Sequence, residues 1–221
     1  MKTKLPNKLR ITLAGVLSLM VIPSRGATIV SYSFSGSFGA PWGWNFPAHV
    51  IQSGTQYTGI VTYDASAVGT PEPSFSYYTE YLNSAKSLIF TIGGNQYSAF
   101  NGRIVSGITP NGGSSFFFQN FTSYSGAIDG LTLQDAYLAL RDSTGTANPS
   151  GLVTANLNGF VPYLNNCSAE VQFSNTAATA QSVGPISALN FVVPEPSSLA
   201  LLALAAVGLA TRQRRQVRAG R

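Results

Sequence analysis

Residues 28–38 read TIVSYSFSGSF, and the alternation within them decides the fold class. Val30, Tyr32 and Phe34 fall two residues apart, with serines between them. In an extended chain successive side chains point to opposite faces, so one face here is apolar and the other polar. That is the pattern of a half-buried β-strand. Residues 55–63, TQYTGIVTY, repeat it through Tyr57, Val61 and Tyr63. Working outward, the same reading predicts strands at 87–92, 95–100, 103–108, 115–121, 131–140, 168–174 and 186–193. Turn signals separate them: Gly93-Gly94-Asn95, Asn101-Gly102, Pro110-Asn111-Gly112-Gly113 and the stretch from Gly145 to Gly151. Within 131–140 (LTLQDAYLAL) the apolar parity slips near Asp135, which marks a bulge or a short helical turn. About nine short strands joined by turns predict an all-β domain, a single β-sandwich or jelly-roll-like fold.

Composition agrees. Of 221 residues only 10% are charged and 44% are hydrophobic, with 22 Gly and 12 Pro. This balance suits an all-β exported domain better than a helical cytosolic one. The net charge of +5 belongs to the ends of the chain. Lys2, Lys4, Lys8, Arg10 and Arg25 precede residue 27, and Arg212, Arg214, Arg215, Arg218 and Arg221 close the chain. Between them only Lys86, Arg103 and Arg141 face all eight acids. A basic protein often binds nucleic acid, but here the basicity is confined to targeting ends and no nucleic-acid partner is expected. Cys167 is the single cysteine, so no intramolecular disulfide forms and the domain must rest on its core.

The N-terminus has three parts. Residues 1–10 (MKTKLPNKLR) are basic, residues 11–22 (ITLAGVLSLMVI) are apolar, and the small residues Ser24 and Gly26 take the −3 and −1 places before Ala27. This is the layout of a secretory signal peptide, residues 1–26, cleaved between Gly26 and Ala27. Twelve helical residues reach about 18 Å, short of the roughly 30 Å hydrocarbon core. An uncleaved anchor is the competing reading. Either way the secretion translocon is an expected partner.

The C-terminus is also tripartite. Pro194-Glu195-Pro196 is followed by an apolar run that includes Leu199, Leu201, Leu202, Leu204, Val207 and Leu209, and then by Arg212, Arg214 and Arg215. The prolines deny the preceding chain a helical continuation. The Leu/Ala run favours helix, and Ser197 or Ser198 can cap it. Such a helix reaches about 22 Å, a short transmembrane segment with arginines that snorkel or stop transfer on the cytoplasmic side. A buried terminal helix fails on those arginines. A plain membrane anchor explains everything except Pro-Glu-Pro.

Pro-Glu-Pro, apolar run and arginine cluster, in that order at the C-terminus, closely resemble the PEP-CTERM sorting signal. The resemblance covers 192–216, with 217–221 as a cytoplasmic tail and 27–191 as the exported domain. It implies recognition of Pro194, Glu195 and Pro196 by an exosortase, a cysteine-dependent transpeptidase of the Gram-negative inner membrane. This chain would be its substrate. The implied itinerary is transient anchoring in the inner membrane with the domain outside the cytoplasm, then release to the cell surface or extracellular matrix, often alongside exopolysaccharide. The internal Pro71-Glu72-Pro73 lacks a following apolar run and reads as a proline-stiffened loop. The middle of the chain is similar to the bodies of many small PEP-CTERM proteins through Tyr32 to Phe38, Gly59 to Asp64 and Leu138 to Gly145. No activity comes with that similarity.

Catalytic signals are sparse. His49 and Cys167 are the only histidine and cysteine, and nothing in their spacing pairs them as a dyad. Asp142, Thr144 and Asn148 would suit a calcium loop but lack its spacing, and a polar turn is the better reading. No metal or other cofactor is expected. Trp42 and Trp44 form one aromatic patch, and Tyr77, Tyr78 and Tyr81 a second. The tryptophans are either a platform on which sugar rings stack or a plug at one end of the core. The expected function is that of a non-enzymatic surface or matrix protein, exopolysaccharide-associated. The alternative is a secreted carbohydrate-binding or carbohydrate-active enzyme.

Overall fold

The alternation at the start of the domain becomes strand β1 (Ile29–Ser37), with Tyr32 and Phe34 buried and the serines beside them only partly covered. The structure, a computed structural model, describes residues 27–45, 51–148, 153 and 156–192, with 62% in strands and 6% helical. Then come β2 (Trp42–Trp44), β3 (Gln56–Asp64), β4 (Thr70–Pro71), β5 (Tyr78–Ile92) and β6 (Asn95–Ile108). They are followed by β7 (Ser114–Gln119), β8 (Ser123–Ser125), β9 (Ala127–Ile128), β10 (Leu131–Asp142), a 3-10 segment (Leu157–Asn166), β11 (Ser168–Ser174) and β12 (Thr179–Val192).

Eight of these strands close a ring in the order β1, β3, β5, β6, β7, β10, β11, β12 and back to β1, with every pairing antiparallel. The fold is all-β as expected, but it is a closed eight-stranded barrel and not a sandwich or jelly roll. The deciding pair is β5 with β6, because β5 also pairs with β3 along its other edge. A sandwich would leave that seam open. Four register breaks help the strands turn around the barrel. They fall where β12 carries an extra residue opposite Ser35/Gly36, where β5 carries one opposite Thr62/Tyr63, between Tyr81 and Ala85 in β5, and between Leu133 and Asp135 in β10. The last is the parity slip expected near Asp135.

Aromatic rings fill the lumen. Phe34 meets Phe90 edge-on at 5.4 Å, Phe38 lies 4.5 Å from Tyr57, and Tyr63 packs against Phe118 at 5.4 Å. An eight-stranded barrel is just wide enough for side chains to fill, and such ring pairs add to the area they bury. Two glycines make the rings fit. Phe34 stands opposite Gly59, and Tyr57 opposite Gly36, across the β1–β3 pair. A Cβ on Gly59 would lie 2.3 Å from the Phe34 ring; one on Gly36 would lie 2.4 Å from the Tyr57 hydroxyl and 2.1 Å from the Pro185 carbonyl oxygen. Each ring covers the bare backbone of its partner. Tyr57 also donates its hydroxyl hydrogen to the Pro185 carbonyl at 2.9 Å, tying β3 to β12 over β1.

The two ends of the barrel differ. Ser31 opposes Val192 and Ile29 opposes Asp64, so β1 begins and β12 ends at one rim, the terminal rim. The 3-10 segment lies there with Leu157 and Phe160 buried. The Leu157 N–H donates to the Tyr32 hydroxyl oxygen at 3.1 Å, and Tyr32 donates to Asn156 Oδ1 at 3.0 Å. The Gly93-Gly94 hairpin turn, β2 and the start of β12 mark the opposite rim.

Candidate functional site

Trp42 and Trp44 sit at the opposite rim, 57% and 53% exposed. Strand β2 pairs Trp42 with Gln181 and Trp44 with Thr179 at the start of β12. Two residues apart on one strand, the rings share a side. Gly43 between them approaches β12 so closely that a Cβ would lie 2.0 Å from the Thr179 carbonyl oxygen, with φ at +149°. The β2 side facing β12 is therefore bare, and the rings stand free of the core. This corrects the reading in which the tryptophans plug the barrel. Gln181 beside Trp42 donates to the Glu170 carboxylate, which puts a polar pair next to the rings.

The second expected patch is split. Tyr81 is buried, and its hydroxyl accepts from the Val153 N–H at 3.3 Å. Tyr77 is exposed and Tyr78 half-buried, with ring centroids 4.7 Å apart; Phe75, which sequence reasoning missed, lies 5.7 Å from Tyr77. The row continues across the outer wall from Tyr78 to Phe117 at 5.8 Å and to Tyr137, stacked on Phe117 at 5.9 Å. The Arg141 guanidinium stands over Phe117 at 5.4 Å. Burial pushes the Tyr137 phenol up to about 12, so it is a neutral ring and hydroxyl at any ordinary pH. Arg141 also borders an open polar groove of about 490 Å³ lined by Thr109, Ser115, Asp142 and Asn166. The one available signal was strand parity. In Phe116-Phe117-Phe118 the outer two face the core, which leaves the middle ring outside.

The Asp142 carboxylate is spent on its own turn. Oδ1 accepts from the Thr144 N–H and hydroxyl, both at 2.7 Å, and Oδ2 from the Ala147 N–H at 2.9 Å. The Asn148 side-chain amide donates to the Ser106 hydroxyl at 3.0 Å. The polar-turn reading of Asp142, Thr144 and Asn148 is thus the one seen. Burial alone would raise the Asp142 pKa, but the donors from Ala147, Thr144 and Thr146 outweigh it and hold it below the usual carboxylate range. A carboxyl depressed in the folded state stabilises the fold above its unfolded pKa, near 3.9. That contribution is lost as pH falls through the folded value. Asp142→Asn is expected to flatten stability against pH across the acid region, read by urea midpoints at stepped pH, and to cost about 1–3 kcal/mol at neutral pH.

Cys167 is buried under the 3-10 segment. Its Sγ accepts from the Arg141 N–H at 3.4 Å, its thiol faces the Tyr163 carbonyl at 3.4 Å, and burial raises its pKa. A buried, protonated thiol is a poor nucleophile. The native protein is expected to be silent to a thiol-titrating disulfide reagent and to release one equivalent only after unfolding. His49 lies outside the described residues. Among the described residues no three His, Cys, Asp or Glu side chains converge.

Glu72 of the internal Pro71-Glu72-Pro73 accepts from the Ser74 and Phe75 N–H groups at 2.8 and 2.7 Å, and its own N–H donates to the Tyr78 carbonyl at 2.9 Å. This copy is a folded turn, as the loop reading expects. The terminal copy is set apart by position. Residues Pro194, Glu195 and Pro196, the apolar positions Leu199, Leu201, Leu202, Leu204, Val207 and Leu209, and Arg212, Arg214 and Arg215 lie outside the described residues, as does Gly26. Ala27 is the first residue described. Among the described residues no helix is long and apolar enough to cross a membrane.

No curated protein and no solved structure matches the chain. Residues 192–215 do match a family model described as the PEP-CTERM protein-sorting motif. Its first residue is the last of β12, so the chain carries a PEP-CTERM sorting signal at the end of a β-barrel, the mark of an exported protein sorted to the cell surface as the substrate of an exosortase.

Proposed function

We propose that this is a non-enzymatic surface or extracellular-matrix protein whose barrel is the delivered cargo and whose exposed tryptophans bind exopolysaccharide. The signal peptide, residues 1–26, directs it through the secretion translocon and is cut before Ala27. The tail from Pro194 holds it in the inner membrane by the 199–210 run until the exosortase acts, and the barrel then passes to the surface. The observation that carries the ligand reading is the pair Trp42 and Trp44, both more than half exposed on one short strand at the rim away from the tail. Rings held that way present flat apolar faces to a partner and contribute little to the core.

The non-enzymatic part is supported by where the acids are. Asp64 and Asp142 fasten turns, Glu72 closes the loop before β5, Glu80 pairs with Arg103, and Glu170 takes a hydrogen bond from Gln181. Asp135 accepts from the Tyr124 hydroxyl and the Ala136 N–H, and burial raises its pKa; a pair of carboxylates poised across a sugar would have to include it or Asp129. The test uses the barrel, residues 27–192, on immobilised exopolysaccharide from a producing Gram-negative strain. Trp42→Ala with Trp44→Ala is expected to weaken retention about tenfold or more and to leave the thermal midpoint nearly unchanged. Unaltered retention would remove the tryptophans from the binding role. Release of reducing ends that a single Asp or Glu substitution abolishes would instead establish the secreted carbohydrate-active enzyme.

A further inference from the structure

The geometry points to a second surface: we infer that the terminal rim rests on the outer surface of the bilayer that holds the tail, with exposed apolar and aromatic side chains in the headgroup layer. The inference depends on the reading of 199–210 as a membrane segment. Both connections to the ends of the chain leave from this rim, since Ser31 opposes Val192. From Val192 to Leu199 there are seven residue steps, which reach no more than roughly 25 Å fully extended. An anchored barrel is therefore held close to the membrane with this rim nearest to it.

The rim is also where exposed apolar side chains gather. Ile29 begins β1, Phe191 lies near the end of β12, Val68 is in the loop after β3, Phe75 and Tyr77 precede β5, and Val161 is on the 3-10 segment; all are exposed, Val68 at 91% and Phe75 at 51%. Strand β5 starts seven residues before Ala85, which opposes Tyr63 near the end of β3, so the Phe75 turn overhangs the rim. Side chains left in water in this way contribute little to the fold itself. Aromatic and aliphatic side chains of this kind partition to the membrane interface. Charge is not the driver, because Asp64 and Glu72 stand at the same rim. Docking should thus occur on zwitterionic lipid and be insensitive to anionic lipid and salt. The opposite rim, with Trp42 and Trp44, is left facing outward.

The two native tryptophans make a built-in control. The full chain is expressed in a Gram-negative host that has no exosortase and reconstituted from its membrane fraction into phosphatidylcholine vesicles carrying a headgroup-level nitroxide lipid. In the native protein Trp42 and Trp44 should remain unquenched. In Phe75→Trp with Trp42→Phe and Trp44→Phe, emission should move to shorter wavelength and be quenched about twofold or more. Val161→Trp in the same background should behave alike, which guards against one variant that misfolds. A chain that floats with vesicles while neither new tryptophan is quenched overturns the docking and leaves the anchor intact. A wavelength shift without quenching puts another protein surface, such as a second copy, on the rim and also overturns it. A chain absent from the membrane fraction overturns the anchor reading and the docking together.

Discussion

Replacing Gly36 with alanine is expected to destabilise the barrel by at least about 3 kcal/mol, since a methyl group there overpacks a closed core. The new Cβ would stand 2.1 Å from the Pro185 carbonyl oxygen and 2.4 Å from the Tyr57 hydroxyl. The first of these is backbone and cannot swing aside. Tyr57→Phe in the same chain is therefore expected to give little relief, even though it removes the second clash. Gly59→Ala meets the Phe34 ring at 2.3 Å and the Ile89 carbonyl oxygen at 2.6 Å, and should cost a similar amount. Urea unfolding followed by near-ultraviolet circular dichroism reads all three. A Gly36→Ala protein within about 0.5 kcal/mol of wild type would mean that β1 and β12 do not approach as described.

Deleting residues 194–221 is expected to abolish surface delivery while leaving the barrel folded, because the last described strand ends at Val192. Glu195→Ala should reduce delivery about tenfold or more, by the loss of a charged recognition contact. Glu72→Ala is the internal control. It removes the acceptor for the Ser74 and Phe75 N–H groups and should loosen that turn without altering sorting. Cell fractionation together with mass spectrometry of both mature termini decides the matter. If the deletion, Glu195→Ala and wild type reach the same compartment with the same mature ends upstream of residue 194, the tail does not sort the protein.

Much of the strand content was legible from alternation. The reading of 168–174 coincides with β11, and 28–38 and 55–63 are within a residue or so of β1 and β3. The misses have local causes. Asn101-Gly102 reads as a turn, yet Asn101 adopts φ 57° inside a continuous β6, so it kinks the strand without ending it. The first half of β5 went unseen because Tyr78 to Lys86 is polar and broken by Asn83 at φ 53°. The 3-10 segment carries Gly159 and Pro162, which spoil any helical period.

The candidate surfaces were legible only in part. Aromatic clustering singled out Trp42 and Trp44 but could not tell a plug from a platform. That choice rests on the approach of Gly43 to Thr179, a contact between segments more than 130 residues apart. Phe117, Tyr137 and Arg141 sit on two strands that meet only through the register of β7 with β10, so no stretch of sequence displays them together.

By itself the sequence determined which faces of β1 and β3 are apolar and where the C-terminal sorting signal lies. Both are local properties, written in the order of neighbouring residues, and the match at 192–215 agrees with the C-terminal signal. Barrel or sandwich was decided only in three dimensions. Alternation gives the same inward and outward faces in both, and the difference is whether β5 finds β6 as well as β3. That closure depends on register breaks and on two glycines that admit two rings, and these have meaning only once the strands are side by side.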